Sequence, residues 1–117
     1  MTGSTTWTDI ASLDKVLLRY PKETVFVTGD TPGIDALVVQ FGSENGYRVD
    51  TMRKTIHDEE RHPGEAWKGL NERMIFSGVQ LVLVFHPDLD KPNSARGSQH
   101  AINLAAAAFI PVERYLS

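Results

Sequence analysis

Thr24-Val-Phe-Val-Thr-Gly-Asp-Thr-Pro-Gly-Ile-Asp35 reads as a buried strand, a sharp glycine turn and the start of a helix. Apolar and β-branched residues run into Gly29. Thr31 then precedes Pro32, so Thr31 is placed to cap a helix and Pro32 to take its first position. Behind them Ile34, Leu37, Val38 and Phe41 recur at i, i+3, i+4 and i+7, one apolar stripe, and Asn45-Gly46 supplies a stop. Backbone N–H groups at such a helix start point outward with the positive end of the helix dipole behind them, which favours an anion.

The remaining chain repeats this alternation. Ile10, Leu13, Val16 or Leu17, and Tyr20 predict a helix from about residue 9 to 20, with Thr8 or Asp9 as its cap and Pro21 ending it. A strand over 24–28, a helix over about 33–45 and a short edge strand over 47–51 follow. Residues 53–64, dense in charge and closed by His62-Pro63-Gly64, read as a surface loop. Ala66, Leu70 and Met74, with Trp67 beside them, predict a helix stopping at Gly78. Val79-Gln-Leu-Val-Leu-Val-Phe85 is the most hydrophobic run and predicts a central strand buried on both faces. A second loop, 86–98, leads into an alanine-rich helix over Gln99–Phe109, and 110–115 reads as a last edge strand where Pro111 is tolerated. The order predicts an α/β fold, a three-layer Rossmann-like sandwich with a mostly parallel sheet.

With 117 residues, 41% hydrophobic and 23% charged, one domain over 1–117 is expected. No apolar run approaches the ~20 residues that span a bilayer. There is no cysteine, which removes disulfide and thiolate chemistry and points to a cytoplasmic setting. The formal net charge of −3, with Lys and Arg scattered singly, argues against a nucleic-acid-coating role.

Ligands of open parallel sheets bind beyond the carboxyl ends of the strands. The loops at 29–33 and 86–98 both leave such an end, so they share an edge of the sheet. Arg96 is placed to neutralise negative charge there, and Ser4, Thr31 and Ser98 offer hydroxyls, a set suited to a phosphate or nucleotide. On spacing alone, Gly29 and Gly33 as mere turn formers is an equal reading. His57 and His62 are five apart in a charged stretch that matches no metal motif, so no metal is assigned. His86 and His100 lie near the second loop, His100 as an exposed first-turn residue. Trp7 reads as core; Trp67, one turn before Asn71, is the better ligand neighbour.

Four stretches together resemble the SLOG superfamily. Thr28-Gly-Asp-Thr-Pro-Gly-Ile-Asp-Ala36 is similar to its "GGARGIDA" loop, which is shared with the DNA-processing protein DprA and the LOG-type phosphoribohydrolases. Thr2-Gly-Ser-Thr-Thr-Trp-Thr-Asp9 resembles the "TGSRxWTD" loop of the YspA-like group, and Leu70-Asn-Glu-Arg-Met74 its "RNxxM" segment. Phe85-His-Pro through Ala95-Arg-Gly-Ser98 is similar to its "FPGGRGT" loop. The resemblance implies strand order 3-2-1-4-5 and a nucleotide-type ligand lined by Gly3, Ser4, Gly29, Asp30, Thr31, Gly33, Asp35, Asn71, Arg96, Gly97 and Ser98. It also implies self-association through helices beside the site, a homodimer.

The phosphoribohydrolases carry an Arg-Lys pair and a catalytic Glu where this chain has Leu70, Asn71 and Ala101. Cleavage by that route needs a carboxylate at the ribose. No catalytic residue is therefore assigned, and binding of a nucleotide or nucleotide-derived small molecule is the first expectation. A phosphoribohydrolase-like enzyme using Asp30 or Asp35 is the alternative, and DprA-like single-strand DNA binding the third. Thr5 replaces an arginine that would contact phosphate. Gly33→Val is expected to weaken binding with the fold intact.

Family members carry an apolar strand ahead of the first loop, whereas here Met1-Thr2 alone precede Gly3. A stub strand at 1–3 is expected, with three explanations open: a very short central strand, lost preceding residues, or another chain supplying the pairing. Direct pairing of 24–28 with 79–85 would contradict the fold.

Overall fold

The computed structural model describes residues 1–4, 7–87 and 95–115. Thr5, and residues 88–94 of the second loop, lie outside them. Among the described residues five strands and five helices follow in the order β1 (Thr2–Gly3), α1 (Ile10–Leu17), β2 (Val25–Thr28), α2 (Ile34–Asn45), β3 (Arg48–Thr51), α3 (Ile56–Arg61), α4 (Ala66–Ile75), β4 (Val82–Phe85), α5 (Arg96–Ala107) and β5 (Val112–Tyr115), with two helices between β3 and β4.

Every strand pairing among the described residues is parallel, as crossover helices require. The ladders form two segments, β1-β4-β5 and β2-β3. β1 is a two-residue stub, Thr2 opposite Val84 and Gly3 opposite Phe85. The Met1 nitrogen donates to Val27 O at 2.9 Å, so the stub touches both segments. No ladder joins β2 directly to β4 among the described residues.

Strand alternation sorts the core into two faces. All four residues of β4 are buried. Leu83 and Phe85 join Leu13, Val16 and Leu17 of α1 and Ile34, Val38 and Phe41 of α2. Val82 and Val84 point the other way, to Ile75 of α4 and Ala95, Ile102 and Ala105 around α5. Helices thus cover both faces, a three-layer Rossmann-like sandwich. Each fully buried side chain of this size contributes roughly 1.5–3 kcal/mol.

Two local expectations are corrected. The charged stretch 53–64 is not all loop, because it contains α3, started by a reciprocal capping box between Thr55 and Asp58. The last long helix begins at Arg96 and not at Gln99, so the glycine-serine pair 97–98 lies in its first turn. No described helix is long and apolar enough to cross a membrane.

Candidate functional site

A cleft of about 570 Å³ opens at the carboxyl edge of the sheet. Gly3 ends β1 and Ser4 follows it, Gly29 and Thr31 come from the β2–α2 connection, Asp35 from the first turn of α2, and Ala95 to Ser98 form the start of α5. Helix α4 closes one side with Trp67, Leu70, Asn71 and Met74, and Lys54 and His86 complete the wall.

The first loop is shaped by one carboxylate. Asp35 Oδ1 accepts from Thr28 Oγ1 at 2.6 Å, and Oδ2 accepts from Thr31 N at 3.1 Å and Thr31 Oγ1 at 2.5 Å. Gly29 leaves room for it, since a Cβ there would lie 2.9 Å from Asp35 Oδ2. The expected Thr31 cap and Pro32 start are corrected for the same reason. Thr31 spends its hydroxyl on Asp35, and the helix starts at Ile34 with Gly33 in the cap position at φ 77°. Ile34 N–H donates to Ser4 O at 3.1 Å. With an acid in its first turn and that N–H engaged, α2 has its positive end partly satisfied from within the chain.

Helix α5 differs, since its first turn holds no acidic residue. Its first intrahelical bond is Gln99 N to Ala95 O at 2.8 Å, so the N–H groups of Arg96, Gly97 and Ser98 precede the ladder. Asn71 fixes this turn by donating from Nδ2 to Gly97 O at 3.0 Å and to His100 Nδ1 at 3.2 Å. That contact makes Nδ1 the acceptor and leaves the His100 proton on Nε2. Burial pulls the His100 pKa below its ordinary value against the opposing pull of Glu72. Among the described residues, a Cβ added at Gly97 would meet nothing within 4 Å.

Trp67, half-buried, sits edge-on to His100 with ring centroids 5.5 Å apart. The Arg96 guanidinium lies 5.8 Å from the Trp67 ring centre, and its Nη2 reaches Glu65 Oε2 at 3.1 Å. Glu65 Oε2 also takes Lys68 Nζ at 3.1 Å. At the opposite rim Lys54 Nζ pairs with Asp30 Oδ1 at 2.6 Å, and Lys54 N donates to Asp30 Oδ2 at 3.1 Å. Burial opposes the Asp30 charge, but the Lys54 contacts outweigh it and hold the carboxyl below its usual range.

Helix α4 is placed from behind by Asp58 of α3. Arg73 reaches both carboxylate oxygens, at 3.1 Å from Nε and 2.6 Å from Nη2, and also Arg53 O at 2.5 Å. The two helices come close because residue 69 is glycine, where a Cβ would fall 2.5 Å from Asp58 Oδ1.

Comparison with protein-family models, curated proteins and solved structures finds no match.

Of the expected lining residues, Gly3, Ser4, Gly29, Thr31, Asp35, Asn71, Arg96, Gly97 and Ser98 meet at this cleft. Asp30 and Gly33 do not line it. Asp30 is turned to Lys54 at the rim, and Gly33 serves the backbone turn, so Gly33→Val would strain the loop and is no clean probe of binding. Trp7 is core, edge-on to Phe85. His100 is half-buried against Trp67 and not an exposed helix residue. Among the described residues no His, Asp and Glu cluster is arranged to hold a metal. Sequence reasoning missed Lys54, whose signal was its place just after the carboxyl end of β3. It also missed Leu70 and Met74 as cleft wall, although they flank Asn71 on the inner stripe of α4.

The arrangement is suited to an anion at the α5 start, an aromatic or planar group at Trp67, and polar contacts from the first two loops. Asp35, the carboxylate on the cleft wall, is committed to holding its own loop.

Proposed function

We propose that the chain is a SLOG-type binding module for a nucleotide or nucleotide-derived small molecule. The observation that carries this reading is the meeting of the Gly29 loop, the acid-free first turn of α5, Arg96 and Trp67 in one cleft. In this reading the phosphate takes the first-turn N–H groups of α5 and the Arg96 guanidinium, while the base packs on Trp67. A cytosolic setting and a homodimer belong to the same proposal.

The phosphoribohydrolase-like alternative needs a carboxylate free to act at the ribose. Asp35 accepts three hydrogen bonds from its own loop and Asp30 is paired with Lys54, which supports holding over cutting.

Thermal shift with a panel of nucleoside monophosphates and dinucleotides tests the proposal, together with the Gly97→Val variant, whose added Cβ meets no described residue within 4 Å. The expected result is a saturable rise in Tm for at least one nucleotide, lost in Gly97→Val while the unliganded Tm changes little. No shift across the panel rejects the reading, and release of free base in the same mixtures replaces it with the enzyme. An oligonucleotide bound at near-physiological salt would favour DNA instead.

A further inference from the structure

Among the described residues the buried polar or charged side chains are Ser4, Thr28, Asp35, Asp58, Asn71 and Ser98. Buried polar atoms need partners, and most of these have them within the chain. Thr28 and Asp35 bond each other, Asp58 is held by Thr55 and Arg73, and Ser4 is engaged as well. Asn71 and Ser98 differ. The Asn71 amide nitrogen is spent on Gly97 O and His100 Nδ1, and this fixes the carboxamide, because the flipped form would set Oδ1 against Gly97 O. Asn71 Oδ1 and Ser98 Oγ take part in no hydrogen bond among the described residues. No sealed side-chain oxygen lacks a partner there, so both oxygens are open, and both residues line the cleft.

Resting on the nucleotide reading above, we propose that Asn71 Oδ1 receives a sugar hydroxyl of the ligand and makes the cleft selective for ribonucleotides over deoxyribonucleotides. Oδ1 has lone pairs only, so it takes an N–H or O–H and repels a phosphate oxygen. Ser98 Oγ carries a proton and, in the first turn of α5, donates to the phosphate beside the backbone N–H groups. Position favours the sugar over the base. Asn71 sits against Gly97, at the turn that takes the phosphate, whereas Trp67, on which the base packs, lies one turn back along α4, about 6 Å away. The part of a nucleotide between phosphate and base is the sugar. Leu70 and Met74, the other α4 side chains on that wall, offer no comparable acceptor, so a hydroxyl there turns to Asn71. A deoxy sugar leaves Oδ1 covered and unpaired, which costs affinity.

Titration calorimetry of the full chain with AMP, GMP, CMP and UMP, each against its 2′-deoxy and 3′-deoxy form, tests this in the parent, Asn71→Ala and Ser98→Ala. In the parent, one or both deoxy forms of the nucleotide that binds should bind about tenfold more weakly than the ribo form, the loss of one hydrogen bond to a buried acceptor. Asn71→Ala should bind ribo and deoxy forms alike, whereas Ser98→Ala weakens both and keeps their ratio. If Asn71→Ala lowers every affinity together and keeps the ratio, Asn71 only braces the α5 turn and the proposal is overturned. Equal affinity of the parent for ribo and both deoxy forms overturns it without any variant, and leaves the nucleotide reading standing. A preference for the amine-bearing bases over UMP that vanishes in Asn71→Ala, with the sugar ignored, gives Oδ1 to the base and overturns it too. Binding of none of the twelve compounds removes the nucleotide reading, and this assignment with it.

Discussion

Thr28 Oγ1 donates to Asp35 Oδ1 at 2.6 Å, a side-chain bond between the end of β2 and the first turn of α2 in which Thr28 is fully buried and Asp35 is 9% exposed. With Thr31 on the other oxygen, Asp35 acts as the core of the loop. Asp35→Asn replaces an acceptor by a donor facing donors, which is expected to cost about 1–3 kcal/mol in urea unfolding. On the proposed reading nucleotide affinity falls with it, because Thr31 and Gly29 lose their fixed places. If Asp35→Asn instead left stability unchanged and abolished a base-release activity, its role would be chemical.

Asp58 and Arg73 give a pH prediction. The Arg73 guanidinium, against the effect of burial, lowers the Asp58 pKa from 3.8 to about 2. A folded pKa below the unfolded one means the contribution is present in full above about pH 4 and is lost as pH falls towards 2. Allowing for the partial exposure of Arg73, its size is roughly 1–2 kcal/mol. Denaturation curves between pH 2 and 5 check this: Asp58→Asn should be less stable than the parent at pH 5, with the gap closing near pH 2. A constant gap across that range would assign the loss to packing alone.

The layers were legible because periodicity survives in this sequence. Ile34, Val38 and Phe41 keep helical spacing, and the strand ending at Phe85 is apolar on both faces because helices cover both. Helix α3 was hidden since its six residues are nearly all charged, and only the Thr55–Asp58 interval marks its start. At the cleft, glycines and hydroxyls were readable as loop chemistry. The division of labour between α2 and α5 was not, because it depends on where one carboxylate turns, and Asp35 turns inward to Thr28 and Thr31. Lys54 was hidden for a similar reason, reaching the rim only through Asp30.

Phe109 offers a stabilising substitution. Phe109 N donates to Ala106 O at 3.2 Å and Ile110 N to Ala105 O at 2.9 Å, the paired bonds of a Schellman stop, and Phe109 occupies its left-handed position at φ 58°. Glycine is preferred there, and the ring is 95% exposed, so little burial is lost with it. Phe109→Gly is expected to raise stability by about 1 kcal/mol in chemical denaturation. A fall in stability would mean that the ring is covered in solution, which dilution-dependent sedimentation would reveal.

Glu65 sets the charge available at the cleft mouth, holding Arg96 Nη2 and Lys68 Nζ on one oxygen, both at 3.1 Å. On the proposed nucleotide reading, the phosphate competes with that carboxylate for Arg96. Glu65→Gln keeps the shape and removes the competitor, so nucleotide affinity should rise several-fold, with a steeper decline as salt increases. Arg96→Ala should lower affinity by about tenfold and flatten the salt dependence, the loss of one charge-assisted contact. Titration calorimetry at two ionic strengths separates the cases. Equal affinities for parent, Glu65→Gln and Arg96→Ala would place the phosphate away from the α5 start and leave Lys54, across the cleft, as the cation to test next.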